Sequence, residues 1–372
     1  MVKRVWTFAL LAISCSAAAV TGVGSPAGAH VSIPIVAREL RLAVTAPTVV
    51  TLPFEAEHLA LHWAGNADAS VVVAFSRDGK TFFGATDAGR DELGEQKGDG
   101  ETYGAVLGAA GSRFVRVSSD RPLANLAVLA LGDGERRSSG KAVTGAVAGA
   151  AVAQPVIIPR SGWGADETLR FDKEGKEVWT PTFWPVQKLV VHHTGGQNGD
   201  QNPASTIRAI YYYHAVTQGW GDIGYNFLID ESGRIYKGRS SHGPGSADTV
   251  TGEDAGGRGV TGAHAQGFNA GTVGVALLGT LTTQDATPAA KGALADVLAW
   301  KASAHGIDPL GASTYANPVT GDRLAFPNIA GHRDVNATEC PGGAFYDRMP
   351  LLRAAVALQT ITGGLVRVPS LL

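Results

Sequence analysis

Cysteine is nearly absent from this chain: only Cys15 and Cys340 occur in 372 residues, which excludes a disulfide framework. Charge is sparse as well. Asp, Glu, Lys and Arg make up 17% of the residues, the net charge is −2 and the pI is near 6.6. Such a balance removes any electrostatic ground for expecting nucleic acid or an anionic membrane as partner. Between about residues 38 and 132 no long helical period appears, which argues against a helical bundle there. What is present is a hydrophobic content of 44%, ordinary for globular protein, and 49 glycines, which suit a loop-rich architecture with strands. The length allows two domains.

The N-terminus reads as a secretory signal covering residues 1–29. Lys3 and Arg4 give the charged start, Phe8 to Ile13 opens a small apolar stretch, and Ala27-Gly28-Ala29 is an A-x-A cleavage pattern. The apolar part is too short and broken to span a bilayer. Ala12-Ile13-Ser14 fits poorly as the lead-in to a lipid-bearing Cys15, so export without an anchor is the expectation. With the signal removed, Cys340 stands alone. Its options are intermolecular pairing, a buried inert thiol or a metal ligand, and the nearby His332 favours the last.

Residues 30–132 carry short apolar runs divided by turn residues, such as Leu59-Ala60-Leu61-His62-Trp63, Val71-Val72-Val73-Ala74-Phe75 and Leu126 to Leu131. Val115 and Val117 alternate with Phe114, Arg116 and Ser118, as a half-buried strand requires, and Arg77-Asp78-Gly79-Lys80 is a hairpin signal. A small all-β, sandwich-like domain is expected, with no catalytic constellation of its own. Its own sequence does not mark it as more than a binding accessory or an inert spacer. Residues 133–155, rich in Gly, Ser and Ala, read as a linker, although their Ala/Val part also fits a short helix.

From residue 156 to 362, ahead of a tail at 363–372, strands mix with helices. Leu189 to His192, Tyr225 to Ile229 and Val273 to Leu278 read as strands. Asn202-Pro203 and Thr287-Pro288 open helices, and Gly306 and Pro309 close the second. The pattern predicts an α/β domain, a mixed sheet with flanking helices.

Its most informative stretch is Gly331-His332-Arg333-Asp334-Val335-Asn336-Ala337-Thr338-Glu339-Cys340-Pro341-Gly342. An imidazole and a thiol stand eight residues apart on a polar loop, and Val191-His192-His193-Thr194 lies 140 residues upstream of His332 at the end of an apolar run. Two histidines and one cysteine make a three-ligand zinc site whose fourth position stays open, as hydrolysis requires; a structural site would want a fourth protein ligand.

These motifs resemble the zinc-dependent N-acetylmuramoyl-L-alanine amidases that share a fold with peptidoglycan recognition proteins. The resemblance runs from Arg160 to about Tyr346, roughly half of the chain. It rests on Arg160-Ser161-Gly162-Trp163-Gly164-Ala165, Val190-Val191-His192-His193-Thr194, Gly219 to Ile229, Gly233 to Arg239, Gly262-Ala263-His264 with Gly267-Phe268-Asn269, and the His332 to Gly342 segment, all in family order. It implies zinc bound by His192, His332 and Cys340. His193, adjacent on the strand, should point to the opposite face. Tyr225 matches the position whose hydroxyl points at the reacting carbonyl. Thr338 stands where the phage branch of the family has a lysine; it can donate only a hydrogen bond. Glu339 reads as a solvated loop residue.

Of the substrate, the resemblance implies peptidoglycan, glycan strand and stem peptide together. Gly219, Trp220 and Arg239 accompany a preference for diaminopimelate, whose extra carboxylate a guanidinium can grip bidentately. Arg258 and His264 are further candidates for contact with sugar or peptide, on position alone. The expected protein is thus an exported, wall-associated zinc amidase, monomeric and without stable membrane insertion. The alternatives are a recognition protein that binds without cutting, in which the metal cysteine is replaced, and a purely structural zinc.

Overall fold

The computed structural model describes residues 32–89, 100–134, 152–242 and 248–364. The expected signal, most of the linker and most of the tail lie outside the described residues. Among those described, no helix is long and apolar enough to cross a membrane.

Seven antiparallel strands form the first sheet: β1 (Ile35–Val44), β2 (Thr48–Ala64), β3 (Val71–Ser76), β4 (Phe83–Asp87), β5 (Glu101–Tyr103), β6 (Leu107–Ser119) and β7 (Leu123–Asp133). Their order is β1-β7-β2-β6-β3-β4, with β5 added beside β2. The expected hairpin joins β3 to β4; Asp78 Oδ1 accepts the N–H groups of Lys80 and Thr81 at 2.8 Å, and Gly79 takes a φ of 72°. On β6, Val115 and Val117 are buried as their alternation predicts.

The apolar runs of β2 and β7 do not alternate with polar residues, because both faces are covered. Leu59, Leu61 and Trp63 with Leu126, Val128 and Ala130 point into a core made solely of this sheet and its connections, so the sheet wraps over itself in a sandwich-like manner. The intervening Ala60, Leu129 and Leu131 point the other way, into a core shared with the second half of the chain.

That second half contains β8 (Ile157–Ile158), β9 (Phe183–Trp184), β10 (Lys188–His193), β11 (Phe227–Ile229), β12 (Ile235–Lys237), β13 (Gly259–Val260), β14 (Thr272–Leu277), β15 (Ala312–Ala316), β16 (Arg323–Pro327) and β17 (Ile329–Gly331). Its helices are α1 (Arg160–Trp163), α2 (Pro203–Tyr212), α3 (Pro288–His305), α4 (Gly343–Tyr346) and α5 (Met349–Ile361). Six strands form a mixed sheet in the order β17-β10-β14-β11-β12-β8, parallel except between β11 and β12. Helices α3 and α5 cover one face through Leu294, Val297, Leu298, Leu352 and Val356. The other face meets α2, and beyond α2 lies the first sheet.

Both helices start where expected. Asn202 precedes Pro203 at the start of α2, although its side chain makes no capping hydrogen bond, and Thr287 Oγ1 accepts the Ala290 N–H at 3.1 Å ahead of α3, which ends at Gly306 with φ 63°. One boundary differs from expectation: β11 begins at Phe227, leaving Tyr225 in the preceding turn. The Asn226 side chain accepts the Gly274 N–H at 2.8 Å, a donor the ladder would otherwise have used, and pairing stops there.

Candidate metal centre

Two parallel strands build the site. β10 pairs with β17 in a register that sets Val191 beside Gly331. The next residue on each is therefore a histidine at the C-terminal edge of the sheet, and the rings of His192 and His332 stand 4.6 Å apart between centroids. After β17 the chain makes one turn at His332–Asp334 and returns, tied by the Arg333 N–H to the Cys340 carbonyl at 2.9 Å. That return places the Cys340 thiol under His192, Sγ to Nδ1 3.7 Å.

One donor atom from each of His192, His332 and Cys340 lies within 4.8 Å of the others, all buried, and no fourth His, Cys, Asp or Glu joins them among the described residues. Zinc–nitrogen bonds of about 2.0–2.1 Å and a zinc–sulfur bond of about 2.3 Å at a tetrahedral angle put N and S about 3.5 Å apart. The 3.7 Å separation of Cys340 Sγ and His192 Nδ1 fits that edge. Burial, with repulsion from His332, His264 and His193, holds the His192 pKa well below its ordinary value, which keeps the imidazole neutral and its lone pair available. The donor set and its geometry fit zinc.

Each ligand is oriented from behind. His192 Nε2 meets His264 Nδ1 at 3.1 Å, and His264 Nε2 meets Thr272 Oγ1 at 3.3 Å. His332 Nε2 meets Asn336 Oδ1 at 3.0 Å, while the His193 N–H donates to Cys340 Sγ at 3.4 Å. Such outer contacts fix ring tautomers and ligand basicity. Thr338 Oγ1 accepts the Cys340 N–H at 3.0 Å, anchoring the hydroxyl in the ligand loop. His193 points away, its Nδ1 accepting the Leu281 N–H at 3.0 Å. Glu339 is exposed beside Arg333.

Tyr225 is buried against the centre, its ring 5.6 Å from that of His192. From it a row of rings leads outward: His214 at 6.0 Å, then Trp220 tilted against His214 at 4.9 Å, next to the exposed Gly219. A cavity of about 230 Å³ borders Tyr225 and His193-Thr194-Gly195, and the first sheet supplies its opposite wall through Thr86, Asp87, Gly89 and Ala105.

Two candidates for substrate contact are placed differently. His264 is fully buried behind His192; it takes the space left by Gly274, where a Cβ would come 2.3 Å from its ring. It positions a ligand and does not face a groove. Arg239 is also fully buried. Its Nη1 donates to Asp222 Oδ2 at 2.7 Å, its Nη2 to the Trp179 carbonyl at 2.7 Å, and the guanidinium lies 3.7 Å over the Trp179 ring. It has no donor face turned to solvent for a ligand carboxylate. Arg258 is exposed and paired with Asp254.

Sequence reasoning did not find the buried cluster around Asp222. Arg160 Nη1 donates to Asp222 Oδ1 at 2.9 Å, opposite Arg239, and Trp163 Nε1 donates to the Lys237 carbonyl at 2.8 Å. These bonds lock together three of the motifs that carry the family resemblance. The available signal was charge inside otherwise apolar motifs.

Comparison with known proteins agrees with this geometry. Residues 183–343 match the family model described as N-acetylmuramoyl-L-alanine amidase. Peptidoglycan-recognition protein SC2 of Drosophila simulans is 32% identical over 200 residues, spanning 52% of this chain and 83% of that protein. The N-acetylmuramoyl-L-alanine amidase of Homo sapiens is 32% identical over 199 residues, 52% of this chain but only 27% of its own length. Peptidoglycan-recognition protein LB of Drosophila melanogaster is 28% identical over 201 residues, 53% of this chain and 69% of that protein. With its three-donor centre intact, this chain is a zinc-dependent amidase belonging to the family of N-acetylmuramoyl-L-alanine amidases and peptidoglycan-recognition proteins.

Proposed function

We propose that this peptidoglycan amidase acts outside the cell on diaminopimelate-type walls, cutting the amide between the lactyl group of N-acetylmuramic acid and L-alanine. The observation that carries the reading is the convergence of His192, His332 and Cys340 beside the Tyr225 ring. A zinc ion in that donor set supplies a bound water acidified toward a pKa of about 7 and a Lewis acid for the carbonyl. The protein's own part is placement. His264 and Asn336 fix the two imidazoles, and the His193 N–H steadies the sulfur. Tyr225 offers a phenolic O–H to the oxygen that gains charge as the carbonyl becomes tetrahedral. Thr338 assists: its oxygen holds the Cys340 N–H, and its own proton can be given to the same oxygen.

Gly219 and Trp220 support the stem-peptide preference by their match to the family pattern. Arg239 contributes to it through Asp222, whose Oδ1 also accepts the Ile223 N–H at 2.8 Å, so the guanidinium fixes the turn that leads to Tyr225. Export is read from residues 1–29.

Mass analysis of products from a diaminopimelate-type wall tests the reading. It is expected to show free L-alanine amino termini and intact N-acetylmuramic acid, with no release when a chelator is present. A lysine-type wall is expected to be cut more slowly. Cleavage at another bond, or at an undiminished rate in chelator, would overturn the assignment.

A further inference from the structure

The seven-stranded sheet is no detached appendage. Val106 and Ala105 lie directly on the loop that leaves the metal strand. At Gly196 a Cβ would come 3.0 Å from the Val106 carbonyl, and at Gly195 one would come 3.4 Å from the Ala105 methyl. Beyond this contact the two halves of the chain enclose a second cavity, of about 420 Å³. Thr194 lines both this cavity and the one beside Tyr225, so the two adjoin at the metal-strand loop.

The walls of the second cavity are specific in chemistry. Gln197, Asn198 and Thr206 present amide and hydroxyl groups from one half, while Val106 and Ala110 of the sheet add apolar surface. Two carboxylates, Glu57 and Asp200, line it, and no lysine or arginine does so among the described residues. Asp200 Oδ2 is buried and accepts no hydrogen bond among them. A buried acceptor without a donor is destabilising, and a ligand hydroxyl would relieve it. Negative walls disfavour the stem peptide, which is itself rich in carboxylates. An uncharged amino sugar suits them: its hydroxyls and acetamido N–H are donors, and its C–H faces and methyl group suit Val106 and Ala110.

We propose that the cleft between the two halves is a subsite for the glycan strand, holding amino sugars adjacent to the muramic acid whose amide is cut. The N-terminal sheet is then one wall of the substrate groove and sets a preference for polymeric glycan over single-sugar fragments. This rests on the amidase reading above.

The test compares the intact protein on two substrates that share one stem peptide, carried by a single N-acetylmuramic acid or by a tetrasaccharide of alternating N-acetylglucosamine and N-acetylmuramic acid. The wild type is expected to favour the tetrasaccharide in kcat/KM by tenfold or more. Asp200→Ala removes the orphaned acceptor. Gly108→Leu fills the cleft from the sheet side, because a Cβ at Gly108 would come 2.9 Å from Gln197 Oε1. Either variant is expected to cut the preference about tenfold, Asp200→Ala through the loss of one hydrogen bond to a charged group and Gly108→Leu by occluding the cleft. Calorimetric binding of a tetrasaccharide of N-acetylglucosamine, which carries no carboxylate, is expected to weaken in parallel. A wild type indifferent to glycan length, variants that leave the preference intact, or a preference that follows peptide length would overturn the proposal. Tetrasaccharide binding that persists without any cleavage would leave the subsite standing and remove the amidase reading instead.

Discussion

Every ligand of the metal centre has an orienting partner other than Tyr225: His264 for His192, Asn336 for His332, and the His193 N–H for Cys340. Removing the Tyr225 hydroxyl should therefore spare zinc and strike only the reaction. Tyr225→Phe is expected to keep full zinc content and to lose about 10²–10³ in kcat, the usual cost of one oxyanion donor. Turnover on a defined muramyl peptide, measured beside zinc stoichiometry, decides it; undiminished turnover with zinc retained would take Tyr225 out of the chemistry. His332 and Cys340 were legible in sequence because their chemistry is local, a lone thiol and an imidazole on one polar loop, whereas His192, 140 residues upstream of His332, was assigned through the family resemblance. The task of His264 was not, since it depends on a ring 72 residues away and on the bare Cα of Gly274. Arg239 misled for the opposite reason. Its charge suggested a ligand carboxylate, while the carboxylate it meets is the protein's own Asp222.

The elements that carry these residues meet at the C-terminal edge of parallel strands, and the Asp222 cluster clamps the loops on that edge. Burial alone would raise the Asp222 pKa; Arg160, Arg239 and Arg170 outweigh it and hold the carboxyl well below the usual carboxylate range. Asp222→Asn leaves Arg160 and Arg239 buried without their shared counter-charge, so a loss of about 3–5 kcal/mol is expected, read as a drop in Tm and denaturant midpoint. Because the folded pKa is depressed, the contribution of Asp222 is fully present above the unfolded value of about 3.9 and is lost as pH falls below it toward the folded pKa. The wild type should lose this part of its stability in that acidic window, and the Asn variant should lack the corresponding slope. A variant as stable as the wild type would show that the cluster is dispensable. At this scale the sequence was readable wherever a cap or an alternation fixed the element, as at Thr287 or on β6. It was not readable where a side chain such as Asn226 ended a ladder early, because that bond joins distant segments.

For the whole molecule, the runs on β2 and β7 hold the lesson. Read alone they suggest a self-contained sheet, and one set of their side chains does make such a core. The other set, with Ala60, Leu129 and Leu131, packs with Ile207, Ile210 and Tyr211 of α2, and only the fold reveals that second face. Polar bonds stitch the same boundary: Tyr213 Oη donates to the Leu61 carbonyl at 2.9 Å, His58 Nε2 meets Thr206 Oγ1 at 2.8 Å, and Arg208 Nε donates to Asp133 at 2.9 Å. An apolar shared core of this kind opposes the relative motion that is the default between units joined by a polar interface. The intact protein is therefore expected to unfold in one calorimetric transition, with calorimetric and van't Hoff enthalpies in agreement, although chains of this size commonly unfold in steps. Leu131→Asp buries a carboxylate in the shared core and should split that transition in two, the first belonging to whichever half is weaker alone. Two separate transitions in the wild type would mean that the sheet and the amidase fold hold together independently, and the continuous groove wall inferred from their contact would lose its mechanical basis.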